Sequence, residues 1–269
     1  MLRSPAVAGQ FYPGSEASLL KTLSALVPEI QPEDRKEALA VVSPHAGYIY
    51  SGGVAGETFA RVKVPESIVI LGPNHTGHGA PIALMASGSW DMPMGEVAIN
   101  KELAAEIARN SPLIEIDEIA HRFEHSLEVQ VPFLQYIQKD LSIAPIVVSH
   151  VPYESCVAVG QGLAAAIKSY GKPVLIVAST DMTHYESRQA ASAKDSLALA
   201  RIQELDPEGL YNTVIGKRIS MCGIMPATVA LVAALALGAK KAELIRYTDS
   251  GETSGDTSQV VGYAGLVIT

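Results

Sequence analysis

Seven apolar runs of strand length, separated by segments of helical periodicity, set the strongest constraint on how this chain can fold. The runs are Leu39–Ser43, Ser67–Leu71, Pro81–Met85, Ser142–Val148, Val174–Ser179, Ala242–Tyr247 and Tyr263–Ile268. Helical patterns fill Ala17–Leu26, Gly53–Arg61, Lys101–Asn110, Ser126–Lys139, Cys156–Ser169, Ser187–Leu205, Pro207–Ile215 and Pro226–Leu237. Strands alternating with helices predict an α/β protein: a layered α/β/α domain around a mixed, largely parallel central sheet. With no repeat, low-complexity tract or long linker, the 269 residues are expected to form one domain over 1–269. The glycine- and proline-rich stretches Asp91–Gly95 and Asp249–Ser258 are expected as surface loops, the second as a mobile connection.

Composition narrows the class of partner. Hydrophobic residues make up 48% of the chain, enough apolar surface to offset the entropy of ordering it. A formal net charge of −8 and the lack of any basic block argue against nucleic acid, whose phosphates need clustered Lys and Arg. The opening MLRSPAVAGQFYPG has no long apolar stretch and does not read as a signal peptide. The most apolar segment, Met225 to Ala239, falls short of the ~20 residues a membrane span requires. A cytoplasmic protein without a membrane partner is the expectation. Cys156 and Cys222 are too few to staple the fold and read as free thiols. Cys156, opening an Ala/Val-rich helix, is expected as a small buried hydrophobe.

The chemistry is concentrated where strands stop. The run ALAVVS ends in Pro44-His45, SIVILG ends in Pro73-Asn74-His75, and PVLIVAS ends in Thr180-Asp181-Met182-Thr183-His184. In open α/β sheets ligands bind beyond the carboxyl ends of the strands, so three such ends can meet in one crevice. A single histidine after a strand is more often a hydrogen-bonded loop residue than a ligand. Three repeats of the arrangement favour a metal site, because neutral imidazole is the commonest side-chain ligand for transition metals.

The other histidines rank lower on local grounds. His78, in a glycine-flanked loop, is expected to face solvent, and His150 lacks an acidic neighbour. His121 and His125 lie in HRFEHSLE, where a solvated helix entry is the default, although His125 and Glu128 are spaced one turn apart and can brace a pocket together. Cys222, in SMCGIMPA just before a helix, is expected to be acidified by the positive end of the helix dipole; a buried inert thiol is the rival.

Several segments together, SPAVAGQFYP, SPHAGYIYSG, ILGPNH, HRFEHSLEVQVPFLQ, ASTDMTHY, MCGIMPA and SGDTSQVVGYAGL, resemble motifs of the Memo family in order along nearly the whole chain. That family is named in animals for mediator of cell motility and is widespread in bacteria and archaea. The resemblance implies an α/β sandwich related to class III extradiol ring-cleavage dioxygenases, which use non-haem Fe(II). It implies His45, His75 and Cys222 as metal ligands, Asp181 and His184 beside the metal, and Tyr12 lining the same pocket. Where those dioxygenases complete two histidines with a carboxylate, this chain offers a thiol. A thiolate is softer and favours Cu(I), Zn(II) or Fe–thiolate bonding, whereas two histidines with a carboxylate favour Fe(II) oxygen chemistry.

Three functions compete. In the first, one transition-metal ion, Fe(II) ahead of Cu or Zn, serves a redox enzyme acting on a small oxidisable molecule, with His184 as general acid or base and Asp181 orienting it. In the second, the crevice binds a metal, a small molecule or a peptide without turnover, as signalling and metal handling among animal relatives suggest. A Zn hydrolase ranks last because it leaves Cys222 without a role. No Walker A or GxGxxG pattern follows a strand, so nucleotide chemistry has little support.

Overall fold

The computed structural model describes residues 1–269 and shows a mixed α/β architecture built on a twelve-stranded sheet. Its centre is four parallel strands in the spatial order Ser142–Val148, Ser67–Pro73, Val174–Ser179 and Ala40–Ser43. Val260–Ile268 then runs antiparallel beside Ala40–Ser43, and Ala242–Asp249 pairs antiparallel with it in turn. Short strands at Leu2–Arg3, Ile82–Leu84, Ser89–Trp90, Val97–Ile99 and Glu115–Ile116 extend the opposite side. Ile82–Leu84 lies within the expected run Pro81–Met85; the other four are two to three residues long, too short for an alternation to stand out in sequence.

Both faces of the sheet are covered, and the side-chain alternation of the strands explains how. Ala40, Val42, Val69, Leu71, Ile176 and Ala178 point to one core, under helices that include Tyr153–Tyr170 and Ile224–Leu237. Val41, Ile68, Ile70, Leu175 and Val177 point to the other, under Glu16–Leu26, Tyr48–Ala60 and Val131–Ile137. Because successive side chains leave a strand on opposite faces, continuous apolar runs are what a two-sided burial requires. No helix is long and apolar enough to cross a membrane.

Three expected elements differ. The helix expected from Gly53 starts at Tyr48, three residues past His45, because packing overrides the low helix propensity of its glycines. A Cβ on Gly56 would sit 2.1 Å from the Leu26 carbonyl oxygen, so glycine is what lets the two helices touch. The helix expected over Ser126–Lys139 is broken into a 3₁₀ turn, Glu128–Gln130, followed by Val131–Ile137, since Pro132 is tolerated only in a first helical turn. The loop Asp249–Ser258 is anchored rather than a bare connection. Arg188 grips both Asp249 oxygens at 2.7 Å, and Gly251–Ser254 forms a single helical turn.

Candidate metal centre

The parallel centre of the sheet sends its carboxyl ends to one edge, and there the chemistry collects. Ser43 pairs in register with Ser179, so His45 and Asp181 emerge side by side two residues later. His75 leaves the neighbouring Ser67–Pro73 strand in the same direction. His125 joins them from a different part of the chain, the turn ahead of Glu128–Gln130. The ligand-capable nitrogens of His45, His75 and His125 all lie within 4.8 Å of one another, a group able to hold a metal ion. The His75 and His125 rings stack at 4.6 Å with an interplanar angle of 25°, and His45 meets each of them edge-on at 5.2 and 5.6 Å.

Two glycines make this convergence sterically feasible. A Cβ on Gly72, just before Pro73, would fall 2.6 Å from the side chains of Ser126 and Leu127, so only glycine admits the 124–127 segment against the strand end. A Cβ on Gly223 would fall 2.4 Å from the Ser179 carbonyl oxygen, so glycine also lets the Ile224–Leu237 helix deliver Cys222 to the site. Cys222 Sγ lies 3.3 Å from His45 Nε2 and accepts a 3.2 Å hydrogen bond from the Asp181 amide. Two ligands of one tetrahedral Zn-like ion, at about 2.0 and 2.3 Å from it, would be about 3.5 Å apart, a spacing the His45–Cys222 pair matches, but Cys222 does not belong to the group whose ligand atoms all lie within 4.8 Å of one another.

Hydrogen bonds settle which imidazole nitrogens are free. The Ser179 hydroxyl donates to the Ser126 carbonyl at 2.6 Å, so toward His45 Nδ1, 2.8 Å away, it acts as acceptor. Nδ1 of His45 therefore carries the proton and Nε2 keeps its lone pair on the Cys222 side. Burial, then the neighbouring His75, His125 and His184, hold the pKa of His45 well below its ordinary value, so it stays neutral. A neutral imidazole with a fixed tautomer is the form that binds metal.

Glu124, 0% exposed, is the carboxylate of the cluster. It accepts from the His75 amide at 2.6 Å, from His75 Nδ1 at 2.9 Å and from the Ser126 amide at 2.9 Å, and His125 Nδ1 approaches it at 3.5 Å. Burial alone would raise its pKa, but hydrogen bonding and charge from His75, with the Ser126 amide, outweigh that and lower it to about 2. The His75 and His125 side chains keep 34% and 23% exposure, so the group is open on the side away from Glu124.

The structure parts from the sequence expectations at several of these residues. His125 is not at a solvated helix entry; it stacks on His75. Its expected partner Glu128 is turned the other way, accepting from Arg3 at 2.7 Å, from the Ala6 and Val7 amides at 2.7 and 3.0 Å and from the Tyr12 hydroxyl at 2.6 Å. Tyr12 is thereby committed to the N-terminal network, and its neighbour Phe11 is the residue whose ring meets His125, at 5.0 Å. Asp181 does not orient His184. Its Oδ1 accepts from the His45 amide at 2.7 Å, and burial pushes its pKa up to about 6 despite that bond. The expected turn from Asp181 to His184 is opened out because Met182 and Thr183 pair with Gly262 and His184–Glu186 forms a short strand. His184 is half-buried, with Nδ1 2.9 Å from the Ser220 carbonyl. The Cys222 thiol is raised, not lowered. Its sulfur is turned inward, so desolvation, followed by the nearby Asp181 carboxylate, outweighs the helix dipole. His78 and His150 are exposed, and Cys156 is fully buried with its thiol pushed up to about 12 by burial.

His121, expected at the surface, is 1% exposed, with Nε2 3.1 Å from the Ala83 carbonyl. Burial, aided by Arg3, lowers its pKa from 6.5 to about 4. A histidine whose folded-state pKa is depressed is protonated first in the unfolded chain, so its contribution is intact above pH 6.5 and is lost as pH falls toward 4. At about 1.4 kcal/mol per pKa unit the loss approaches about 3 kcal/mol. Urea titrations of the parent and of His121→Leu are expected to diverge over that window, the variant showing the flatter pH dependence; parallel curves would remove His121 from the acid response.

A mixed, largely parallel α/β sheet carrying a three-histidine group at its strand ends defines an α/β protein with a candidate metal centre. Comparison with known proteins gives the family. Residues 3–267 match the profile of the Memo-like protein family. The chain is 43% identical over 267 residues to a MEMO1 family protein of Aquifex aeolicus, covering 99% of this chain and 98% of that one. It is 40% identical over 276 residues to a MEMO1 family protein of Methanothermobacter thermautotrophicus, with 99% and 100% covered. The chain belongs to the Memo family. Among solved structures, an uncharacterized Escherichia coli K12 protein shares the fold, with a TM-score of 0.57, 14% identity, and coverage of 86% of this chain and 99% of that one.

Proposed function

We propose that this Memo-family protein holds one transition-metal ion, Fe(II) before Cu or Zn, and uses it in redox chemistry on a small oxidisable molecule. The observation that carries this reading is the gathering of three imidazoles within 4.8 Å, two of them with Nδ1 already bonded to Ser179 and Glu124. Bound by the imidazoles alone, Fe(II) would supply oxygen-dependent redox chemistry with coordination positions left for substrate. His184 is the candidate proton carrier. Its Nδ1 donates to the Ser220 carbonyl, which leaves Nε2 as the basic nitrogen of a half-buried ring. If the protein turns over substrate, His184→Ala is expected to slow it by roughly 10²–10⁴ with metal content unchanged. Loss of metal in that variant would make His184 a ligand instead.

The competing reading is a binding protein without turnover, and the Cys222 thiol 3.3 Å from His45 Nε2 favours it. A thiolate added to the three imidazoles, which alone make up the group within 4.8 Å, would give a closed tetrahedral set suited to Zn or Cu. Anaerobic metal analysis joined to nitric oxide spectroscopy separates the two. A stoichiometric ferrous site that takes up nitric oxide supports the enzyme. A tightly held Zn or Cu that admits no further ligand supports binding.

A further inference from the structure

We infer that Glu124 is a positioning residue that holds His75 and His125 as one paired unit with His75 in its Nδ1–H tautomer, which aims both imidazoles into the metal site by their Nε2 edges. The inference deepens the metal reading above but stands on protein atoms alone. Glu124 lies in HRFEHSLEVQ, directly before His125, yet its oxygens serve His75, 49 residues away in sequence.

The geometry is that of a shared acceptor. Oε2 takes the His75 amide at 2.6 Å while Oε1 takes His75 Nδ1 at 2.9 Å, so a single side chain fixes both the backbone and the ring of one residue. Oε1 also takes the Ser126 amide at 2.9 Å, which pins the carboxylate in place, and it lies 3.5 Å from His125 Nδ1. A carboxylate accepting from three N–H groups has no proton to give, so the His75 ring must donate from Nδ1 and keep its lone pair on Nε2. One oxygen facing the Nδ1 atoms of two rings also explains why those rings stack at 4.6 Å and 25°. Like-facing imidazoles in that register present their Nε2 atoms the same way.

The carboxylate is braced in turn from outside. The Arg3 guanidinium donates to the Glu124 carbonyl at 2.7 Å and to the His121 carbonyl at 2.6 Å, fixing the backbone that carries Glu124. The side chain is fully buried, so water cannot replace it as acceptor.

The test is ¹⁵N NMR of the metal-free protein, with the His75 ring signals assigned by their disappearance in His75→Gln. In the parent, His75 is expected as the Nδ1–H tautomer. Glu124→Gln keeps the volume but offers an amide in place of one acceptor oxygen, and there the Nε2–H tautomer is expected to gain at His75. Glu124→Asp, still an acceptor only, is expected to keep Nδ1–H. Chelator competition with Zn(II), run beside it, is expected to show a 10–100-fold weaker affinity in Glu124→Gln, the usual loss when a ligand histidine loses its partner. An unchanged tautomer in Glu124→Gln overturns the inference, as does an Nε2–H tautomer in the parent, which is decisive even if the variant does not fold. A parent that shows the expected tautomers across the series but binds no metal upholds the role of Glu124 and removes the metal reading instead.

Discussion

His75→Ala is expected to empty the protein of stoichiometric metal while leaving it folded. The His75 side chain is 34% exposed, so its removal opens no sealed cavity, and the strand that delivers it is held by pairing on both sides. The fall in affinity should exceed the roughly 10–100-fold cost of losing only a ligand's hydrogen-bond partner. His45→Ala should match it in metal loss but also cost stability, since that ring is buried and bonded to Ser179. The informative comparison is His125→Ala with Cys222→Ser. If the ion sits among three imidazoles, the first variant loses metal and the second keeps it. If the thiol is a ligand, Cys222→Ser weakens Zn or Cu binding with the fold intact. Metal content equal to the parent in His75→Ala would rule out the cluster as the binding site.

Glu128→Ala is expected to be the most destabilising single change at this end of the molecule, at about 3–5 kcal/mol. Glu128 and Arg3 form an ion pair at 2.7 Å with side chains 0% and 4% exposed, so truncation strands a guanidinium where water cannot reach it. The same carboxylate serves the Ala6 and Val7 amides and the Tyr12 hydroxyl, all of which lose their acceptor together. Arg3 is further committed, stacked 4.2 Å over the Trp90 ring and bonded to two carbonyls. Thermal unfolding should record a drop in midpoint on the order of 10 °C for a chain of this size. A change of a degree or two would mean that the N-terminal segment is held by its apolar contacts alone. Because Arg3 also braces the Glu124 backbone, metal affinity in this variant should fall as well.

What could be read from the chain, and what could not, divides along a physical line. The α/β class, the central strands and the exits of His45 and His75 were legible because they are local. An apolar run that stops at a proline and a histidine declares both where the strand ends and which residue it releases. The family resemblance added Cys222, whose approach to His45 no local pattern encodes. The helix broken at Pro132 and the early start at Tyr48 show where local propensity yields to packing.

By itself, the sequence determined that histidines would stand at the ends of parallel strands in an α/β sheet. The tertiary structure alone decided that His125 joins them, that Glu124 rather than Glu128 faces them, and that Asp181 serves the His45 amide instead of the His184 ring. These outcomes rest on contacts between residues some 50 to 140 positions apart. They depend on Gly72 leaving room for the Ser126 and Leu127 side chains, on Gly223 admitting the Ser179 carbonyl, and on Arg3 drawing Glu128 toward the N-terminus and so away from the histidines. A carboxylate's spacing along a helix or turn fixes which neighbours it can reach. Which of them it takes is set by the burial and the competing donors that only the folded chain supplies.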